Sequence, residues 1–563
     1  MFSALTHGLT GLALSYASVE IPMVIGLIRR HAPARELLRS PFVSLPLTAA
    51  VGMSLAAIAP LTQASSLLQL ALGLSVSAGV GYAGAAVLAK RASPSEHRRG
   101  AVISESPTRA PIQPRHELGA HVTLAGIPLA HQDETKHFKL IGTTGTGKST
   151  AIQEILAGAL ARGDRAVIAD PDYGYVRRFF DPSRGDVILN PFDGEALKWD
   201  LFGEITDAYD VEQLARSLIP DQGGADRSWR EYARTFFAAV TSQVRRGGER
   251  SIEELNRLLL VADPEELRTL VQGTAAQPFL RESNARMFDS IRSVTSSAVG
   301  SLEHVARQQA PPFSVRKWVR EESRGVLFMP YRAGQIAALR STISAWMRLA
   351  IFEAMNRPER DQKLWFVVDE LDALGQIDGL KDALARLRKF GGRCILGFQS
   401  IAQVSSTYGS GEAQTLVENC GNTLILRCAG SEHGGTSHFA SRLIGQREVV
   451  RTTVSRSRRP LQWLASTTHA EHSAIEPAVL DSEIEQLPDL SGYLKFASIP
   501  DWYRVRLARD NATQRPHADS ASNTSRTVSR AVERQLSPET HATDKVHSTT
   551  SEQGASRGNS VLD

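Results

Sequence analysis

The chain has 563 residues, 42% hydrophobic and 22% charged, which supplies material for a buried core and excludes a fibrous or wholly disordered chain. At about 150 residues per domain, that length implies three or four modules and excludes one small domain. Three cysteines, Cys394, Cys420 and Cys428, with no CxxC pair, exclude a disulfide framework and fit a reduced compartment; 64 Lys+Arg against 60 Asp+Glu leave a net +4, so any basic surface is local.

Near the amino terminus, residues 9–28 form an apolar run that carries Glu20 and Pro22. Three readings stay open for it: an interfacial helix, a membrane span or a partner-contact helix. No Lys or Arg precedes it, so a cleaved signal peptide is not expected. Between Arg39 and Lys90 the chain has 50 residues without Asp, Glu, Lys, Arg or His. Two helical spans fit there, 43–61 and 66–89, separated by the polar break Thr62-Gln63-Ala64-Ser65. Each is long enough for about 30 Å of hydrocarbon, so residues 43–91 are expected to form a transmembrane helical hairpin. Residues 1–42 then form a cytoplasmic or membrane-associated segment. Arg29, Arg30, Arg35 and Arg39 before the hairpin, and Lys90, Arg91, Arg98 and Arg99 after it, predict that both ends and the bulk of the chain face the cytoplasm.

Residues 92–117 are rich in Pro, Ser and Arg without a sustained period and read as a linker. From 118 to 508, short β-branched runs alternate with helical patterns, the signature of an α/β fold with a parallel sheet and crossover helices. That part is interrupted at 204–309 by an all-helical stretch, leaving 118–203 and 310–508 as two halves of one domain. Two helix starts inside the insertion are Ser251-Ile-Glu-Glu254, a capping box, and Asp263-Pro264-Glu-Glu266, with an N-cap Asp and Pro at the first helical position. Residues 509–563 are rich in Ser, Thr, Asn and His and predict a disordered tail.

The strand-like Phe138-Lys-Leu-Ile141 runs into Gly142-Thr143-Thr144-Gly145-Thr146-Gly147-Lys148-Ser149, and a helical run follows. This is G-x-x-x-x-G-K-S in the strand-loop-helix setting its chemistry requires. Glycines let successive backbone N–H groups turn inward onto phosphates, and the helix that follows adds its positive end. Lys148 is expected to reach the β- and γ-phosphates and Ser149 to hold Mg2+, with Thr150 beside them at the helix start.

A second strand, Leu364-Trp-Phe-Val-Val368, ends in Asp369-Glu370. Asp369 can join the Mg2+ shell, and Glu370 can polarise the attacking water. The next strand, from Arg393 to Phe398, ends in Gln399-Ser400, near the other strand ends of such a sheet. Asp170, closing the run Ala166-Val-Ile-Ala169, is a weaker candidate for the same site.

These motifs, in this order, resemble the conjugative coupling proteins of the TraD/TraG/TrwB type, DNA-translocating ATPases of type IV secretion. The resemblance runs from about 118 to 496. It includes Gly163-Asp-Arg-Ala-Val-Ile-Ala-Asp170-Pro171, Val187-Ile-Leu-Asn-Pro-Phe-Asp193, Lys198-Trp-Asp-Leu-Phe202, Gly397-Phe-Gln-Ser400 and Leu487-Pro-Asp-Leu-Ser-Gly-Tyr493. It implies a RecA-like P-loop domain with an all-α insertion, ATP and Mg2+ as ligands, and a homohexameric ring around DNA in the bacterial inner membrane. It also implies relaxase and secretion-channel proteins as partners, Gln399 as a γ-phosphate sensor, and Arg427 as an arginine donated to the neighbouring subunit. Arg427 serves equally well as a local ion-pair partner. DNA contact would be with phosphates; Arg386, Arg388, Lys389 and Arg393 form one basic cluster, and Arg451, Arg456, Arg458 and Arg459 another. The alternatives are an FtsK/HerA-like chromosomal translocase on the same motor and a non-hydrolysing membrane adaptor.

Overall fold

The structure is a computed structural model that describes residues 2–30, 32, 34–58, 66–91, 95–105, 121–221, 227–321, 325–356, 363–431, 434–457 and 466–508. The predicted tail at 509–563 lies outside the described residues, as do Arg458 and Arg459.

Three long helices open the chain: α1 (Phe2–Arg29), α2 (Ala34–Ile58) and α3 (Ser66–Arg91). Several of their hydroxyl side chains bond back to the preceding turn, among them Thr48 Oγ1 to the Ser44 carbonyl at 2.8 Å and Ser75 Oγ to the Ala71 carbonyl at 2.9 Å, which satisfies these donors without water. Two stretches, Gly11–Arg29 in α1 and Leu68–Ala89 in α3, are long and apolar enough to cross a membrane. These apolar helices fit the membrane anchor expected ahead of the α/β part. The expected 66–89 span lies in α3. The expected 43–61 span lies in α2 as far as Ile58, and α2 as a whole is less apolar because Arg35, Glu36 and Arg39 occupy its first turns.

Chain contacts divide the molecule at Asp164/Arg165 and Glu353/Ala354. The unit formed by residues up to Asp164 and from Ala354 onward contains four parallel strands: β1 (Phe138–Ile141), β2 (Leu364–Val368), β3 (Gly392–Phe398) and β4 (Asn422–Ile425). Their order is β4-β1-β3-β2, and Ser491–Lys495, Trp502–Arg506 and Ile103–Ser104 extend the sheet beyond β4. Residues of β2, β3 and β4 are buried throughout, as parallel strands covered on both faces require. Helix α4 (Lys148–Ala161) follows β1 and buries Ala151, Ile152, Ile155, Leu156 and Ala159, an i, i+3, i+4 stripe.

The predicted linker carries structure that composition concealed. Ser95–Gly100 pairs antiparallel with Gln446–Ser457, which pairs in turn with Ser466–Pro477, and Ile103–Ser104 joins the main sheet. Ser-Glu-His-Arg-Arg-Gly has no apolar alternation, so pairing with the long neighbouring strand, not propensity, makes it a strand.

At the amino ends of β2 and β3, the buried Glu134 carboxylate accepts two bonds from Arg162, at 2.7 and 2.9 Å, and one from Arg393 Nε at 2.8 Å. Arg162 also pairs with Asp164, whose Oδ2 accepts from Trp365 Nε1 at 2.8 Å. Burial alone would raise the Glu134 pKa, but the two guanidinium groups outweigh it and hold the carboxyl below its usual range. Arg393 is therefore a buried framework residue and leaves the basic cluster proposed for DNA, whereas Arg386, Arg388 and Lys389 are exposed.

The unit Arg165–Glu353 holds parallel strands at Arg165–Pro171, Val326–Tyr331 and Val187–Ile188. Helices at Ala208–Leu218, Arg227–Arg246, Ile252–Leu260, Pro264–Leu270, Ala285–Val299 and Leu302–Arg307 form the expected all-α insertion. Ser251 caps its helix by accepting from the Glu254 amide at 3.2 Å, but the Glu254 side chain turns to Arg257, so the box is half formed. Asp263 precedes Pro264 as predicted but makes no side-chain cap bond. Asp210, not anticipated, accepts from the Thr206 and Asp207 amides at 2.8 Å each. Asp170 serves its own neighbourhood, since its carboxylate accepts from the Tyr175 and Val176 amides and starts the short helix Val176–Phe179.

Candidate functional site

The site lies at the carboxyl ends of β1, β2, β3 and β4. After Ile141 the chain turns through Gly142 to Gly147 into α4. Gly147, at φ +117°, occupies backbone space that L side chains rarely adopt, and a Cβ there would lie 2.8 Å from Leu490 Cδ2. The Thr143 amide and hydroxyl donate to the Arg427 carbonyl at 2.9 and 3.2 Å, fixing the loop to the end of β4. Thr146 Oγ1 donates to the Thr143 carbonyl at 2.7 Å and closes the turn. Among the described residues, the amides of Thr144, Gly145, Gly147, Lys148, Ser149 and Thr150 have no hydrogen-bond acceptor. Six adjacent donors at a helix start form a nest for an anion.

Lys148 is buried at 6% exposure, and its Nζ donates to the Gly142 carbonyl at 2.7 Å and the Thr143 carbonyl at 3.4 Å. Burial lowers its pKa, with Asp369, Glu370 and Asp372 pulling the other way.

Strand order explains the remaining contacts. Because β3 lies between β1 and β2, with Phe398 opposite Ile141 and Leu396 opposite Val368, Gln399 emerges between the phosphate loop and the acidic pair. Gln399 Oε1 accepts from Thr144 Oγ1 at 2.9 Å, and its Nε2 donates to Glu370 Oε1, also at 2.9 Å. On the other side of the loop, Ser149 Oγ donates to Asp369 Oδ2 at 2.6 Å. Burial raises the Glu370 pKa and neighbouring Asp369 adds to it, while the bond from Gln399 opposes the shift. Lys148, Ser149, Asp369, Glu370 and Gln399 thus meet in one place; Thr150 follows, half-buried, in the first turn of α4.

No group of three or more His, Cys, Asp or Glu side chains able to hold a metal occurs among the described residues. The Ser149 hydroxyl and the Asp369 carboxylate are hard oxygen donors that fit Mg2+, a cation that draws most of its other ligands from phosphate and water.

Arg427 stands two residues beyond β4. Its guanidinium pairs with Asp489 at 2.7 Å and donates to the Leu487 carbonyl at 3.3 Å. With the two side chains 37% and 50% exposed, such a pair is worth about 0–1 kcal/mol, so releasing the arginine is easy.

The segment around Asp489 is the part of the site that residue reading missed. The Leu490 amide donates to the Thr146 carbonyl at 2.9 Å, the Leu490 carbonyl accepts from the Leu507 amide at 2.7 Å, and Leu490 itself sits at φ +63°. A branched residue in that region costs about 1–3 kcal/mol and persists only where its surroundings over-determine it. The available signal was the run Leu487-Pro-Asp-Leu-Ser-Gly-Tyr493, which is recognisable as a motif but carries no chemistry of its own in sequence.

The profile of the type IV secretion-system coupling protein DNA-binding domain matches residues 121–508. Coupling protein TraD of Escherichia coli strain K12 is 31% identical over 382 residues, covering 66% of this chain and 52% of that protein. Conjugal transfer protein TraG of Escherichia coli is 24% identical over 348 residues, covering 55% of this chain and 53% of that protein. The chain therefore spans about half the length of these relatives. Among solved structures, plasmid coupling protein TrwB in complex with the non-hydrolysable ATP analogue ADPNP aligns at TM-score 0.66 and 29% identity, covering 75% of this chain and 96% of that one. TrwB in complex with ADP and Mg2+ aligns at TM-score 0.66 and 30% identity over the same shares. The fold is thus the one TrwB has, RecA-like with an all-α domain.

Proposed function

This chain belongs to the type IV secretion-system coupling proteins, and from that premise we propose that it is an inner-membrane ATPase that recruits relaxase-bound DNA and drives it to a conjugative transfer channel. The observation that carries the proposal is the nest of free amides around Lys148, joined through Thr144 and Gln399 to Glu370. One end binds a polyphosphate, the other holds a base for water, and a polar side chain connects them. Mg2+ would be held by Ser149 and Asp369 and would offset phosphate charge. Glu370 takes the proton of the attacking water, Lys148 stabilises charge on the phosphates, and Gln399 registers the γ-phosphate. The test is ATP hydrolysis by the full chain in lipid, with and without single- and double-stranded DNA; turnover that DNA leaves unchanged would overturn the motor reading.

The bulk of the chain acts in the cytoplasm behind a multi-pass anchor. Exposed Arg386, Arg388 and Lys389 contact DNA phosphates without regard to sequence. Nothing in the geometry or in the relatives above favours a chromosomal translocase or a non-hydrolysing adaptor.

Arg427, released from Asp489, completes the site of the next subunit in a homohexamer. Arg427→Ala and Lys148→Ala proteins, each inactive alone, are then expected to regain part of the wild-type turnover when mixed. A mixture as inactive as its components would restrict Arg427 to its own chain.

Gly147→Val provides a test of the loop alone. The new side chain has neither an allowed backbone conformation nor room beside Leu490, so binding of a fluorescent ATP analogue is expected to fall at least about tenfold, the equivalent of about 1.4 kcal/mol. Unchanged affinity would show that the loop does not hold the nucleotide in this conformation.

A further inference from the structure

Helices α1 and α3 run in the same direction. Val19 of α1 meets Gly81 of α3, Met23 meets Gly84, and Gly26 meets Ala85, so contact positions rise together along both helices. The approach is close: a Cβ on Gly81 would lie 2.1 Å from the Val19 carbonyl oxygen, and one on Gly26 would lie 2.6 Å from Ala85 Cβ. Small residues at a helix crossing are how membrane helices pack when lipid supplies no hydrophobic drive. Two parallel spans of one chain cannot be joined without a return crossing between them.

We propose that α2 is that crossing. The first 91 residues then traverse the bilayer three times, the amino-terminal end of α1 lies on the face opposite the α/β part, and the outer face of α2 contacts lipid hydrocarbon. Beyond Arg39, the uncharged residues 40–58 of α2 rise about 28 Å, close to a hydrocarbon core of about 30 Å. Its inner face belongs to the bundle: Leu37, Val43 and Leu47 pack against Met23, Leu27 and Ala85. Ser40 of α2 donates to Glu20 of α1 at 2.6 Å, giving the one carboxylate in the middle of α1 a hydrogen-bond donor away from water. Its outer face presents Leu38, Phe42, Leu45 and Met53 at 60–78% exposure, matching Leu14 and Ile21 on α1 and Leu68, Leu70 and Leu72 on α3. Apolar side chains directed outward on all three helices fit acyl chains as the surrounding medium.

Charge supports the same topology. Arg29, Arg30, Arg35 and Arg39 surround the α1–α2 connection, and Lys90, Arg91, Arg98 and Arg99 follow α3, while residues 1–28 and 40–89 contain no Lys or Arg. Parallel α1 and α3 place both basic groups on one face, the cytoplasmic one, and both uncharged ends on the other. Of the readings open for residues 9–28, this topology selects the membrane span, and residues 1–42 begin on the outward face.

The test is labelling of Ser3→Cys, Gln63→Cys, Ser93→Cys and Phe42→Cys variants of the full chain in intact spheroplasts with a membrane-impermeant maleimide. Cys394, Cys420 and Cys428 are buried, which keeps the background low. Positions 3 and 63 are expected to label fully before permeabilisation, position 93 only after it, and position 42 in neither condition. Labelling of position 3 only after permeabilisation, or prompt labelling of position 42, would overturn the proposal. Thr6→Cys and Thr62→Cys replace any variant that fails to resist carbonate extraction from membranes.

Discussion

Lys148→Ala is expected to lower ATP turnover by about 10²–10³-fold, the range seen when one preorganised donor to a developing charge is removed. The ammonium is 6% exposed and rests on the Gly142 and Thr143 carbonyls, so it is already positioned at the loop before any phosphate arrives. Its low-dielectric surroundings depress its pKa and, for the same reason, strengthen its attraction for a polyphosphate. Alanine removes that charge and takes this donor from the Gly142 and Thr143 carbonyls, so binding weakens along with turnover. Membrane insertion should be unaffected, because α1, α2 and α3 share no contact with the loop in the hydrogen bonds described. The measurement is steady-state hydrolysis by the full chain in lipid, with fractionation as the control. Wild-type turnover in the variant would dismiss Lys148 as a phosphate ligand.

The phosphate loop and the acidic strand end were readable because the chemistry proposed for them constrains short local patterns. Phe138 to Ser149 and Leu364 to Glu370 each carry a strand and, at its carboxyl end, the candidate functional groups in one short run, and both strands form where the pattern places them. Gln399 was readable only with a sheet order in mind, since its role depends on β3 lying between β1 and β2. Asp489 and Leu490 were not readable as parts of the site: their contact with Thr146 and Arg427 spans more than 340 and 60 residues respectively, and only tertiary folding creates it. Arg393 shows the opposite failure. A basic residue in a basic cluster resembles a surface until burial and Glu134 reveal it as framework. Ser95–Gly100 was concealed because an edge strand borrows its conformation from its neighbour. The order of the membrane helices was equally hidden, since hydropathy measures how apolar a segment is and not which helices run parallel.

Glu370→Gln is expected to separate binding from chemistry. The amide keeps the shape of the carboxylate and can still contact Gln399, so nucleotide affinity should remain close to wild type while hydrolysis falls about 10²–10⁴-fold, the contribution of a general base. The pH profile provides an independent reading. Burial and Asp369 raise the Glu370 pKa above the ordinary 4.5, so wild-type turnover should decline on the acid side at a pH above that value, as the base takes up its proton. Gln399→Ala removes the hydrogen bond that favours the charged form and should move this acid limb further upward. Stability should change in the opposite sense to activity. A carboxyl whose folded-state pKa lies above its unfolded value stabilises the fold only while protonated, so at neutral pH its charge is a net burden. Glu370→Gln should therefore melt at the wild-type temperature or higher while losing turnover. Lower melting together with weaker nucleotide binding would instead mark Glu370 as a structural support for the loop.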